Sequence, residues 1–354
     1  MKKKMQKMTS SRGQTAALLR YLPSLAFGVW LHPMGRVALD GIVAWVWQVL
    51  HRIPVFHAPL AEALVATLGF WVSGTFFETL HCWWPSTDDL RINVHEQASI
   101  SRRGEKKLEV ARLRRSKPHR RRILRSVGFF LWTKVASSGL YLLAIWAFHA
   151  FVRPKPPLPA ADAPPSAARF VVELIFGIWL YDLFFTPVHY FLHWSGKGVA
   201  LSSEEQDKDL YVQLRGTLSQ LRLLVGRVLN HRVHHEMKGT LAAGATVHHS
   251  LVDGTMQVLV NVLVQQLSPW HLFGDSNCTY GYTKHSLSRF AHNMVVTWLL
   301  CEAHSGYDLP WMTHRLWPEI FGGSVRHNAH HNKGNVYYQQ FFKYIDDFFG
   351  TVEA

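Results

Sequence analysis

The chain has 354 residues, enough for one large or two ordinary domains, and a formal charge of +14. It is 48% hydrophobic and 13% aromatic, with 14 Trp and 21 Phe, a bias more typical of membrane proteins than of soluble ones. Its three cysteines (Cys82, Cys278 and Cys301) lie far apart and form no CxxC pair, which argues against a disulfide framework and against a thiolate metal site.

In chain order, "MKKKMQK" lacks the apolar core and small-residue cleavage site of a signal peptide and reads as a cytosolic basic tail. "VALDGIVAWVWQVL" (37–50) is short and carries Asp40, so a tilted or interfacial helix is expected. Residues 59–84 and 127–152 are each about long enough to cross a hydrocarbon core of ~30 Å as a helix. Between them, residues 102–125 hold twelve Lys or Arg against two Glu. Basic residues beside spans mark the cytosolic side and grip anionic headgroups, so this run reads as a membrane loop rather than a nucleic-acid patch. The Pro/Ala-rich stretch 153–167 suits a stiff turn on the other side, and "FVVELIFGIWLYDLFFTPVHYFLHW" (170–194) then returns to the cytosol.

The stretches 255–267 and 287–303 are too short or too polar for spans and are expected as buried or half-embedded helices. No sustained strand alternation and no G-x-G-x-x-G loop occurs. The expected fold is therefore all-α and integral to the membrane, with about four transmembrane helices in two hairpins and a cytosolic, helical, histidine-rich di-metal domain. Its expected parts are a first hairpin with the basic loop (1–126), a second hairpin (127–194) and a cytosolic catalytic cap (195–354).

Chemistry enters with the 22 histidines. His32, His51, His57, His81, His95, His119 and His149 stand alone and read as surface or structural residues. The later ones cluster: "PVHYFLH" places His189 and His193 at i and i+4, "HRVHH" gives His231, His234 and His235, and "HNAHH" gives His327, His330 and His331. On helices, offsets of 0, 3 and 4 share a face, so each triplet is expected to aim three imidazoles at one place. Eight converging nitrogens exceed what one tetrahedral zinc uses and suit two octahedral-leaning ions. Imidazole accepts zinc, copper, iron and nickel alike. Zinc proteolysis would need HExxH, which is absent, and bis-histidine haem binding would not use tight triplets. An all-nitrogen set at the mouth of membrane helices favours a non-haem di-iron centre.

The order HxxxH, HxxHH, HxxHH resembles the fatty acid hydroxylase/sterol desaturase superfamily of membrane di-iron oxygenases. The run 302–351, with "HSGYD-PW", "THRL", "GG-V-H--HH" and a terminal "D---GT", is similar to its sterol-oxidising members. The likeness covers roughly residues 170–351. It implies that the eight motif histidines, with His304 of "AHSGYD" as a ninth, hold two Fe ions, and that Asp182, Asp253, Asp308 and Asp346 orient them. His249 is a further candidate ligand, whereas His248, His271, His285, His292 and His314 are left outside the set.

The resemblance also implies O2 as co-substrate, with electrons ultimately from NAD(P)H through a reductase and a cytochrome b5-type carrier. The substrate would be a membrane lipid, a sterol in the first instance, hydroxylated at a site facing the cytosol from the endoplasmic reticulum membrane. Desaturation or methyl oxidation on the same scaffold, and a non-enzymatic metal protein, are the alternatives. The motifs His193 and His231 are further apart than is usual in the family, with the polar "SSEEQDKD" (202–209) between them.

Overall fold

A computed structural model describes residues 32–92, 163–195, 223–239, 241–269 and 284–353, with isolated positions elsewhere. The basic run 102–125, nearly all of the expected span 127–152, most of the turn 153–167 and residues 196–219 of the polar insertion lie outside the described residues. What is described is mostly helical, with no strand and two isolated bridges, Arg91 to Tyr307 and Phe321 to Phe342.

Helix α1 runs Pro33–His51, α2 Ala61–Trp83, α3 Ala167–Ser195, α4 Leu251–Gln265 and α5 Ser286–Ala303. Three shorter helices follow: α6 Thr313–Leu316, α7 Gly323–Lys333 and α8 Tyr344–Phe349. Two of these, α2 and α3 up to Trp194, are long and apolar enough to cross a membrane, and they coincide with the expected spans 59–84 and 170–194. Leu68 and Val72 on α2 and Val171 and Ile175 on α3 are exposed, so each helix turns an apolar stripe outward. Asp40, the residue that marked α1 as a poor span, accepts a hydrogen bond from the Ala167 N–H at 2.6 Å. It satisfies one of the orphan donors at the start of α3, which explains an acid in an otherwise apolar helix.

The bundle closes around α5. Gly69 lets α2 lie against it, since a methyl group there would fall on the Thr297 hydroxyl. On its other side, α3, α4 and α5 share a core of Leu180, Phe185, Val260, Val264, Val296 and Leu299. A second cluster, Phe77, Leu80, Cys301, Tyr307, Leu309 and Met312, seats the segment after α5 on the end of α2. Both α3 and α5 end at the same end of the bundle, and the histidines gather there.

Candidate metal centre

His189 and His193 lie on the last turns of α3, on one face as their spacing predicts. The second motif departs from expectation. Residues His231–Glu236 form a short 3₁₀ helix, entered through Asn230 in the left-handed conformation (φ 47°). Asparagine tolerates that conformation better than most residues, and a 3₁₀ helix does not bring offsets 0, 3 and 4 onto one face. The third motif is α-helical, in α7, which stops at Gly334 (φ 72°).

Instead of one focus per triplet, the rings sort into two groups across the motifs. His189, His193, His231 and His235 form the first, and His234, His304, His327 and His331 the second. In each, one nitrogen per ring lies within 4.8 Å of all the others. His330 completes the first group, its Nε2 lying 3.0 Å from Nε2 of both His189 and His193. The groups adjoin, with His235 stacked on His331 at 4.5 Å between ring centroids. Triplet two thus divides between the groups, and so does triplet three. On α7, His327 and His331 share a face and His330 points to its flank.

The ring nitrogens show what these groups suit. The Nδ1–H of His189 donates to the Tyr338 carbonyl at 2.7 Å, and that of His330 to the Val336 carbonyl at 2.6 Å. Both protons being spent, the two facing Nε2 atoms of His189 and His330 carry only lone pairs, 3.0 Å apart. The same holds in the second group. His234 donates to the His248 carbonyl at 3.0 Å and His304 to that of Leu300 at 2.7 Å, leaving their Nε2 lone pairs 3.3 Å from each other. Nε2 of His231 and of His235 is buried with no hydrogen-bond partner. Lone pairs held together in a buried site repel unless a cation sits among them. Two nitrogens on one ion at ~2.1 Å lie about 3.0 Å apart at an octahedral angle and about 3.4 Å apart at a tetrahedral one. The contacts, 2.8 to 3.3 Å, lie in the range that two nitrogens sharing one ion would show. The residues present fit a pair of metal ions.

Burial and the neighbouring imidazoles hold His234, His327, His330 and His331 well below the usual histidine range. Burial brings His304 down to about 4 and His235 to about 3. All are therefore in the neutral form that binds metal.

The four acids divide. Ser250 caps α4 by accepting the Asp253 N–H, and Asp253 Oδ2 then receives the His231 Nδ1–H at 2.8 Å. Asp253 thus fixes a ring directly. Replacing it with Asn removes the charge opposite His231 and is expected to weaken metal binding ~10–100-fold, read by chelator competition. Asp182 and Asp346 act one step further out. Asp182, fully buried, accepts from Gln339 Nε2 and from the backbone N–H groups of Gln340, Phe341 and Phe342 at 2.7–3.2 Å. Asp346 accepts from the N–H groups of Tyr338 and Gln339 at 2.9 and 2.8 Å. Together they clamp the segment whose Tyr338 carbonyl sets the His189 tautomer. Asp182→Ala strands those four donors, and a loss of at least about 3 kcal/mol is expected, visible as a lowered melting temperature in detergent. Asp308 turns away: it pairs with His314 at 3.0 Å and with Arg315 and contacts neither group. His249 joins neither group and lies against Gly254, its Nδ1–H donating to the Ser250 carbonyl at 3.1 Å.

Two asparagines inside "HNAHHN" escape a search for ligands. Asn328 Oδ1 receives the Leu241 N–H at 3.2 Å and Asn332 Oδ1 that of Gly239 at 2.8 Å, tying the loop after the second motif to α7. Their position within the motif was the only signal for them.

By fold and site this is a mostly helical protein with two helices long and apolar enough to cross a membrane and two adjoining histidine groups that could each hold a metal ion. No family model matches the chain, and no solved structure does. Among curated proteins it is 29% identical to human (Homo sapiens) cholesterol 25-hydroxylase over 199 residues, 54% of this chain and 70% of that one. It is 34% identical to a cholesterol 25-hydroxylase-like protein of Danio rerio over 123 residues, 34% and 43% of the two chains. Against a putative methylsterol monooxygenase of Dictyostelium discoideum it is 46% identical over 52 residues, 15% and 19% of the two chains. These homologues are oxidoreductases of the fatty acid hydroxylase/sterol desaturase family, the one the histidine motifs resemble.

Proposed function

We propose that the chain is an O2-dependent lipid hydroxylase, with a sterol as substrate and two iron ions held by the nine histidines. The observation that carries the reading is the pair of four-nitrogen groups, joined by His330, in which His189 faces His330 and His234 faces His304 through Nε2 lone pairs, the Nδ1 protons of these four rings being spent on carbonyls. An iron pair supplies, when bound, the redox chemistry that turns O2 against an unreactive C–H bond. The reaction balances as RH + O2 + two electrons + two protons giving ROH + H2O. The chain carries no nucleotide-binding fingerprint, so the electrons come from NAD(P)H through an external reductase and a cytochrome b5-type carrier, which the basic run 102–125 would attract.

The protein's own part is positional. Tyr338, Val336, His248 and Leu300 carbonyls hold four imidazoles in the tautomer that presents Nε2. Asp253 holds a fifth. Neutral imidazoles add no charge of their own, so bound cations stay electron-poor, and the absence of thiolates spares the donor set from oxidation. Burial of the rings beneath α3, α5 and α7 keeps water from the reacting carbon. With α2 and α3 spanning, the centre would face the cytosol from the endoplasmic reticulum membrane, and an amphipathic lipid would enter from the bilayer.

The Dictyostelium relative supports a second reading, methyl oxidation of a sterol at the same centre. Purified protein is expected to carry two Fe per chain, to show no Soret band and to convert a sterol to a product 16 daltons heavier. Zinc in place of iron, or a Soret band, would remove the oxygenase reading. A product heavier by a second oxidation would favour the methyl oxidase.

A further inference from the structure

Beside the first histidine group the chain exposes an apolar surface that the metal centre does not use. Residues 223–229 are helical, Leu221 has the same conformation, and the Asn230 N–H closes the helix on the Gly226 carbonyl at 2.9 Å. Leu221, Leu224 and Val228 stand at offsets 0, 3 and 7, so they form one stripe along the helix. They are 55%, 56% and 58% exposed, whereas Leu229, off the stripe, is buried. The Ser250 hydroxyl donates to the Leu229 carbonyl at 2.6 Å and so seats the start of α4 against the end of this helix. Leu251 and Val252, the first residues of α4, are exposed as well, Leu251 at 79%. Five exposed aliphatic side chains thus gather where the two helices meet. His231 stands two residues after Leu229 and Asp253 two after Leu251, and these two are joined at 2.8 Å, so the surface adjoins the first histidine group.

The rim of this surface is cationic. Arg227, three residues after Leu224, flanks the stripe, and Arg232 and Lys238 follow on the same segment, all exposed. Among the described residues no carboxylate pairs with any of the three, and Glu236, the acid of this segment, is taken up by His248 at 3.3 Å.

The combination says what covers the face. Aliphatic side chains offer neither the hydrogen bonds nor the aromatic anchors that a specific protein partner uses. A lipid bilayer supplies both things that fit: acyl chains for the stripe, and anionic headgroup oxygens for the arginines and the lysine, whose long stems reach from one to the other. Further along α4 the exposed face carries no charge, running through Thr255, Leu259, Val262 and Leu263. That helix packs on α3, one of the two helices long and apolar enough to cross a membrane, so the surface is continuous with the apolar flank of the bundle.

We propose that the helix at 223–229 and the start of α4 form a bilayer-docking surface, lying against acyl chains with Arg227, Arg232 and Lys238 at the headgroups. It sets the first histidine group at the surface of the bilayer rather than out in water, so that a lipid reaches the cage without leaving the membrane. This deepens the hydroxylase reading and rests on it only for what becomes of the lipid.

The test is electron paramagnetic resonance of the full chain in phosphatidylcholine/phosphatidylserine nanodiscs. One nitroxide at a time is attached in Leu221→Cys, Leu224→Cys, Val228→Cys or Leu251→Cys, on a Cys82→Ser, Cys278→Ser background; Cys301 is fully buried and stays. Collision with O2 reports acyl chains, and collision with the water-soluble chelate nickel-EDDA reports water. All four labels are expected to show the pattern of a doxyl-labelled acyl chain in the same discs, with loss of the nickel collisions that a free nitroxide in buffer shows. Nickel collisions at the buffer level would mean that the surface faces water, and loss of both kinds of collision that another part of the protein covers it. Either overturns the proposal, as does a lipid pattern at 251 alone, which leaves the helix at 223–229 out of the bilayer. Each label replaces an exposed side chain, the four sites are read separately, and circular dichroism checks the fold. The readout needs neither metal nor turnover. Lipid-like labels on a chain that oxidises nothing would sink the hydroxylase and keep the surface, whereas water-like labels on an active chain would do the reverse.

Discussion

Replacing His304 by alanine is expected to halve the bound metal, from two ions per chain to one, and to lower turnover by more than about a hundredfold. Its Nε2 lies 2.8 Å from that of His327 and 3.3 Å from that of His234, so it is the ring that draws the second group together. Its loss leaves three donors, and no other described side chain stands ready to replace it, since His249 is engaged at Ser250 and lies against Gly254. The hundredfold floor is the upper range for losing a partner that only orients a ligand, and His304 presents its own nitrogen. The first group, five rings from α3, the 3₁₀ turn and α7, keeps its geometry. Helix content by circular dichroism should therefore stay near the wild-type value. Full metal content in His304→Ala would mean that the second group is not a metal site.

The second large effect is with pH, in the metal-free protein. Burial holds His234, His327, His330 and His331 well below the usual histidine range, and His304 at about 4, against an ordinary value of 6.5. Below pH 6.5 the unfolded chain binds protons that the folded chain refuses, so stability falls as pH falls and is fully present only above that value. For His304 alone the loss reaches about 3 kcal/mol by pH 4, at ~1.4 kcal/mol per unit. The metal-free melting temperature should drop steeply from pH 6.5 to 5, and bound metal, which needs the same neutral rings, should leave in the same window. A flat profile between pH 7 and 5 would show the rings to be open to water.

Individual residues show where sequence reading reaches and where it stops. The long apolar helices expected over 59–84 and 170–194 were legible because some twenty apolar residues in a row have few structural uses other than crossing a bilayer or filling a core. The i, i+4 pair His189/His193 was legible because helical periodicity is local. The second motif was misread as helical because its 3₁₀ form depends on Asn230, whose left-handed turn carries no apolar pattern. Asp308 and Asp346 follow the same family pattern in the sequence. Only packing sends one to Arg315 and the other to the segment that holds Tyr338.

His304 came from the family resemblance; from the order of residues alone came the helical class, two helices long and apolar enough to cross a membrane, the eight motif histidines and the expectation of two ions rather than one. These follow from local spacing and from counting donors. Tertiary structure alone decided how the donors are shared out: each triplet divides between two groups, His330 flanks the first, and carbonyls spend the Nδ1 protons. It also set the start of α4 against the end of the helix at 223–229. The reason is that a ligand is a residue type at a position, while a site is a set of distances between atoms many residues apart, and only the packing of α3, α5 and α7 sets those distances.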